Sequence, residues 1–466
     1  MLVSIPYGIY ALEFVYLAIH AGRYQMPKAS YSKRFPVTIQ LPTHDERYVI
    51  NRLIDSCIAM AREYGSDLVQ ILILDDSADD TVNLAESSVE KYRQMGFDID
   101  LIHRQPYWEG FKPGKLRDAL RLTKHPFIAL FDADFIPSND FLSRVMPYFE
   151  DPKVALVQCR WTHVNRDYNL ITKAISIGYD GHHMIEQPGR FYGGLFTNFN
   201  GSGGVIRKSA LEEAGGWQTD TLAEDLDASI RMKLLGWEML YLRDIEVPGE
   251  VPPTILAVKR QQERWASGTI RVCRKLSLPI LRSNQLTLRQ RIEALIHISQ
   301  YAIHPCMFLS FVIAAAGGLF DVRLPTYGLI SYFNMRSLAE YFLTHPYWII
   351  FNAAVLLRAL LFWLVYVYAL KLQHLDVKRQ LRALTACGLI GFGLSFCDTI
   401  AVFRGFFGRS SGVFLRTPKY KIEKQSDTWK DKKYRLPLSK TFYGEVTLVA
   451  LAVLSTIAAA INGNIG

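Results

Sequence analysis

Between about residues 35 and 290, short apolar runs alternate with amphipathic stretches, and long apolar stretches lie on either side. Val37-Thr38-Ile39-Gln40-Leu41 predicts a strand ending at Pro42, and Val69 to Leu74 a second ending at Asp75. Ile99 to Ile102 predicts a third, and Phe127 to Phe131 a fourth ending at Asp132. Helical periodicity fills the gaps, as in Tyr48 to Glu63 and Thr81 to Met95. This alternation predicts a parallel α/β sheet with helices on both faces. Ligands of such sheets bind beyond the carboxyl ends of the strands. Asp75 and Asp132 stand at those ends, so one crevice should gather both acidic clusters.

The flanking apolar stretches change the picture from a soluble protein to a membrane one. Met1 to about His20 is apolar with one acid, Glu13, and lacks the basic start and cleavage site of a signal peptide. Leu295–Phe320, Tyr347–Leu370 and Phe442–Ile461 each approach the ~20 residues needed to span a bilayer. Thr385–Phe407 is interrupted by Asp398 and Arg404. Were it to span, the basic segment from Arg409 to Lys440 would lie outside, against the positive-inside bias, so it reads as interfacial or re-entrant. Arg271 to Arg291 is basic and amphipathic, which suits interfacial helices and equally an ordinary surface helix.

The expected division is therefore a transmembrane helix at 1–22, an α/β domain at 35–270 and interfacial helices at 271–294. Transmembrane helices follow at 295–370, an interfacial helix with a cytosolic loop at 371–441, and a last transmembrane helix at 442–462. The α/β domain and the basic loop are expected in the cytosol, with the protein in the plasma membrane or its equivalent.

Net charge is +9, yet the soluble stretch holds no compact basic motif of the kind nucleic acid requires. The cations sit beside apolar spans instead, as in Arg23, Lys28, Lys33 and Arg34. The 6 cysteines contain no CxxC and suggest neither a disulfide framework nor a zinc site.

Several residue groups carry candidate chemistry. Asp75-Asp76-Ser77 can cap a helix, or its carboxylates can recognise a nucleotide at the sheet edge. Asp132-Ala133-Asp134 places two carboxylates where a hard divalent cation, Mg²⁺ or Mn²⁺, could be shared with diphosphate oxygens. Glu224-Asp225 opens a helix, where acids favour the dipole, or supplies a general base for an acceptor hydroxyl. Arg264 offers phosphate a planar fork, and Trp265 offers a sugar an apolar face or sits at a membrane interface. Lys112 and Lys115 could reach phosphate or form a solvated loop. Phe199 to Gly204 lets backbone approach a sugar. His44-Asp45-Glu46 lines the pocket or caps a helix. His182 and His183 are adjacent rather than four apart, which disfavours a metal site.

These motifs resemble the family 2 glycosyltransferases, in particular the membrane-embedded, cellulose-synthase-like β-glycan synthases. The resemblance rests on Leu74 to Ser77, Phe131 to Phe135, Phe199-Asn200-Gly201, Ala214 to Trp217, Glu224-Asp225 and Gln261 to Trp265. Phe414 to Lys419 looks like the gating-loop segment of that family. The resemblance implies a GT-A fold and inverting transfer from a UDP- or GDP-sugar. It implies Asp225 as base, and Asp75, Asp76, Lys112, Asp132, Gln261 and Arg264 on the donor. It further implies Asn200, Gly201, Glu224 and Trp265 on the acceptor, and Asp132 with Asp134 on the metal. Partners would be a nucleotide sugar, a glycan or glycolipid acceptor and the bilayer, with no nucleic acid. Processive glycan extension and single addition to a lipid are both compatible with these residues. A glycoside hydrolase also pairs carboxylates, but needs no DxD at a strand end.

Overall fold

The computed structural model describes residues 4–29, 33–104, 110–320, 360–408, 416–434, 436–439 and 441–461. Seven strands form one sheet in the order β3-β2-β1-β4-β6-β5-β7. They are β1 (Val37–Thr43), β2 (Val69–Asp75), β3 (Asp98–His103), β4 (Phe127–Leu130), β5 (Val154–His163), β6 (Gly204–Arg207) and β7 (Glu238–Gly249). The four expected strands are present and parallel to one another. The sheet is mixed rather than wholly parallel, because β6 runs antiparallel between β4 and β5. Its four residues follow the glycine-rich loop directly and return the chain against β4.

Side chains alternate across each strand. Ile71 and Ile73 of β2 face one side with Ile39, Leu41 and the helix Ile50–Tyr64, which contributes Leu53, Ile54 and Cys57. Leu72 and Leu74 face the other side, with Leu116, Ile128 and Trp217. Both faces are covered, so β1 and β2 are buried throughout. Fully burying each such side chain is worth roughly 1.5–3 kcal/mol. Edge strand β3 is partly exposed and carries Asp98, Asp100 and His103, charges that discourage pairing with another chain.

Register aligns the strand ends. Thr43 pairs with Asp75, and Asp75 with His103. Strand β1 pairs with β2 on one side and β4 on the other, so the connections diverge there. That divergence opens the crevice in which open α/β sheets hold ligands.

The region after the sheet is helical. Gln261 through Trp265 lie on one helix, Ile255–Arg282, continuous with the basic segment the sequence set apart from them. Its N-terminus is capped by Thr254, and the next helix, Leu288–Ser299, by a Thr287–Gln290 capping box. Among the described residues, Leu288–Gly317 and Thr441–Ile461 are long and apolar enough to cross a membrane. The helix Ser4–Gly22, expected to span, is not one of that pair. Val377–Gly393 and Ser395–Phe407 form a pair bent by 46°. The second of these packs along the Ile255–Arg282 helix through Ala401 and Val402 against Ala266 and Ile270. Of the expected Tyr347–Leu370 span, the part before Leu360 lies outside the described residues, and an apolar helix runs from Leu360 to Leu372. Phe414 and Leu415 of the gating-like segment also lie outside them.

Candidate active site

A cavity of about 1710 Å³ opens beyond the carboxyl ends of β1, β2 and β4. That exceeds the roughly 300–1,000 Å³ of a typical small-molecule pocket, leaving room for a donor and an acceptor together. Of the sequence-derived candidates it gathers Asp76, Lys112, Asp132, Asp134, Asn200, Gly201, Glu224, Asp225, Gln261, Arg264 and Trp265.

Asp75 is absent from that lining. Its carboxylate accepts from Thr43 Oγ1 at 2.8 Å and from His103 Nδ1 at 2.7 Å, and also from the Ser77 hydroxyl and backbone N–H. It is fully buried and braces the ends of three neighbouring strands. The expectation that it contacts a donor therefore has no support in its position. Its neighbour Asp76 does face the cavity, where Lys115 donates to it and His44 Nδ1 lies 2.9 Å away. Burial opposes ionisation of Asp76, but His44 and Lys115 outweigh it and hold the carboxyl below the usual range.

The other strand-end carboxylates also meet lysines. Lys112 donates to Asp132 at 2.7 Å and to the Gly201 carbonyl at 2.9 Å. Lys419 donates to Asp134 at 2.6 Å. Asp134 also accepts from the backbone of Glu250 at 3.1 Å. Both Glu250 oxygens are engaged at 3.0 Å by the backbone N–H groups of Tyr420 and Lys421. The segment from 416 is thus tied across the cavity rim.

Among the described residues no three His, Cys, Asp or Glu side chains converge as a self-sufficient metal site. The chemistry of the donor set suits a different arrangement. Two hard carboxylates, now neutralised by ammonium groups, fit a cation whose other ligands come from a diphosphate.

Glu224 and Asp225 open the helix Glu224–Leu234. Burial pushes Glu224 up to about 7 against the pull of Lys112. Burial also raises Asp225, again opposed by Lys112. Both carboxyls therefore keep a proton to higher pH than exposed acids would. Asp225 reaches the cavity because of Gly201, which adopts φ +81°. A Cβ there would lie 2.9 Å from Asp225 Oδ2 and 3.3 Å from Lys112 Nζ.

On the Ile255–Arg282 helix, Gln261 accepts from the Tyr179 hydroxyl, and Trp265 packs beside the Tyr179 ring with centroids 5.6 Å apart. Burial raises the Tyr179 hydroxyl far above its usual range, so it stays a donor.

The sequence reading placed Lys419 only at the end of the gating-like segment, took His182 only with His183 against a metal site, and gave no role to Glu250, Tyr179 and Glu186. Glu250 and Tyr179 carry no local pattern. The i,i+4 spacing of His182 and Glu186 was the legible signal for the last.

This fold is the GT-A fold, and comparison with known proteins gives the family. The family described as Glycosyl transferase family group 2 matches residues 127–370, and Glycosyl transferase family 2 matches residues 38–215. The chain belongs to glycosyltransferase family 2. It is similar to glucomannan 4-beta-mannosyltransferase 9 of Arabidopsis thaliana, at 33% identity over 304 residues, 63% of this chain and 56% of that one. A probable glucomannan 4-beta-mannosyltransferase 2 of Oryza sativa subsp. japonica is 33% identical, covering 68% and 57%. A probable glucomannan 4-beta-mannosyltransferase 11 of Arabidopsis thaliana is 30% identical, covering 69% and 76%. The chain spans little more than half the length of the first two. A mannosyltransferase of Pyrobaculum calidifontis, solved with GDP-Man and Mn²⁺, superposes with a TM-score of 0.51 at 20% identity, covering 79% of this chain and 97% of that one. That likeness establishes the GT-A fold.

Proposed function

We propose that the protein is an inverting hexosyltransferase that extends a β-linked glycan from a nucleoside-diphosphate sugar at a membrane, adding residues processively. The observation that carries this reading is the Asp225 carboxylate in one cavity with Asp76, Asp132 and Asp134 at the strand ends. The relatives named as glucomannan mannosyltransferases support mannose over glucose as the sugar transferred, and so the GDP-mannose type of donor is the one tested first.

In this mechanism Asp76 receives the nucleoside, with Lys115 and His44 fixing its charge and direction. Lys112 and Arg264 meet the diphosphate, and Asp132 with Asp134 would hold Mg²⁺ or Mn²⁺. When bound, the cation supplies charge neutralisation for the departing nucleoside diphosphate. Asn200, Gly201, Glu224 and Trp265 line the acceptor side, and Gln261 holds the Trp265 wall through Tyr179. The acceptor hydroxyl gives its proton to Asp225 as its oxygen bonds to the anomeric carbon. The bond from that carbon to the diphosphate oxygen breaks, and attack from the opposite face inverts the configuration. The two long apolar helices seat in the bilayer, the helices around 271–294 lie at its surface, and the α/β domain faces the cytosol.

Turnover of detergent-purified protein with labelled GDP-mannose and UDP-glucose, with and without Mn²⁺, tests this reading. Long hydrolase-sensitive polymer is the expected product. A single sugar on an organic-extractable lipid would replace the processive reading with glycolipid formation, and no transfer from any donor would overturn both.

A further inference from the structure

The acceptor side of the cavity contains a bonded series of which the mechanism above uses only one member. It starts at Asn200, beside the glycine that exposes Asp225. The Asn200 backbone donates to Gln158 Oε1 at 2.9 Å, and its side-chain oxygen accepts from Gln187 Nε2 at 2.6 Å. That second bond fixes the amide orientation, so Asn200 Nδ2 is the atom 2.8 Å from His182 Nε2. An amide nitrogen only donates, so His182 Nε2 accepts and the ring proton sits on Nδ1. His182 Nδ1 then donates to Glu186 Oε2 at 3.0 Å. Arg190 Nη1 holds the same oxygen at 3.2 Å, and Arg190 is itself locked by Glu293 Oε1 at 2.6 Å.

The backbone is unusual at the same place. Gly181–Glu186 is a π-helical turn. Such turns are rare and occur frequently at functional sites. Here the turn carries His182 and Glu186, which both line the cavity, and His182 remains 23% exposed. Arg190 lies behind them at 2%.

We propose that His182, with its tautomer set by Glu186, is a positioning residue for the acceptor. It aims the Asn200 amide so that the second Nδ2 hydrogen meets a hydroxyl of the terminal sugar, beside the one Asp225 deprotonates. A sugar hydroxyl accepts such a bond readily. The tautomer matters because a proton on Nε2 would set two donors against each other and turn the amide away. The inference rests on the glycosyltransferase reading and adds to it which side chains discriminate acceptor from water.

The test compares the full-length protein with His182→Ala, His182→Gln and Glu186→Gln. It measures the KM for an oligosaccharide acceptor, kcat, and donor-nucleotide Kd by calorimetry. His182→Ala is expected to raise the acceptor KM at least about fivefold, as loss of one aimed hydrogen bond would, while donor Kd holds within about twofold. His182→Gln, which restores an acceptor atom toward Asn200, is expected to recover part of that loss. Glu186→Gln should give an intermediate effect. An unchanged acceptor KM in His182→Ala, or equal loss of donor binding in a folded His182→Ala, overturns the proposal. If His182→Ala does not fold, an unchanged acceptor KM in Glu186→Gln overturns it instead. A wild-type protein that transfers no sugar would sink the underlying reading, which these variants distinguish from failure of the inference alone.

Discussion

Lys419 Nζ lies 2.6 Å from Asp134 Oδ2, joining positions 285 residues apart in the chain. The basic segment beyond the apolar helices is thereby anchored to the acidic end of β4. The contact also places an ammonium on an oxygen that a divalent cation would need. Lys419→Ala should lower the half-saturating Mn²⁺ concentration, because a largely buried ammonium no longer competes with the cation for the Asp134 carboxylate. Asp134→Ala should abolish both turnover and its metal response. Metal titration of initial rates checks both, and full metal-dependent turnover by Asp134→Ala would remove the metal assignment.

Asp225→Asn keeps the shape of the side chain and removes its basicity. Transfer should fall by about 10²–10⁴-fold, the range for loss of a general base. Donor binding measured by calorimetry should be nearly unchanged. Parallel loss of binding and turnover would assign Asp225 to the donor instead.

The same carboxylate sets a pH dependence whose sign can be worked out. Burial raises Asp225, and the base works only when ionised. As pH falls through that raised value, Asp225 takes up a proton and activity is lost. The acid limb of kcat should therefore lie above the ~3.9 of an ordinary aspartate. Lys112 pulls the group downward, so Lys112→Met should move the limb of the residual activity to higher pH. A limb that stays in place or moves down would show that Lys112 does not act on the base.

Gly201→Ala tests the close approach. A methyl group would meet Asp225 Oδ2 at 2.9 Å and would force an alanine to φ +81°. Stability should drop by about 1 kcal/mol from the left-handed backbone alone. Turnover should fall at least about tenfold, because a small displacement of an aligned base is costly. Thermal unfolding beside initial rates separates the two effects.

Arg190→Met removes the charge that neutralises a buried group of acids. Arg190 meets Glu293 at 2.6 Å, Glu186 at 3.2 Å and Glu13 at 3.5 Å. Leaving those acids unpaired should cost about 3–5 kcal/mol. A large fall in the detergent-phase unfolding temperature is expected, and a change of under a degree would mean the acids pair elsewhere.

The chain's own pattern determined much of this. Short apolar runs at Val37 to Leu41, Val69 to Leu74 and Phe127 to Phe131 defined three strands, and the acids Asp75 and Asp132 where two of them stop marked the ligand edge. Those features are local, set by side-chain periodicity and by where apolar runs stop. Tertiary structure decided which carboxylates face the cavity. Asp75 and Asp76 are neighbours in sequence, yet register against Thr43 and His103 turns one inward and leaves the other to the cavity. It also decided the antiparallel course of β6, because pairing direction depends on how the chain returns. The contacts of Lys419 with Asp134 and of His182 with Asn200 join distant segments. Their partners are chosen by how the helices and the loop dock on the sheet edge, and no spacing in the sequence encodes that choice.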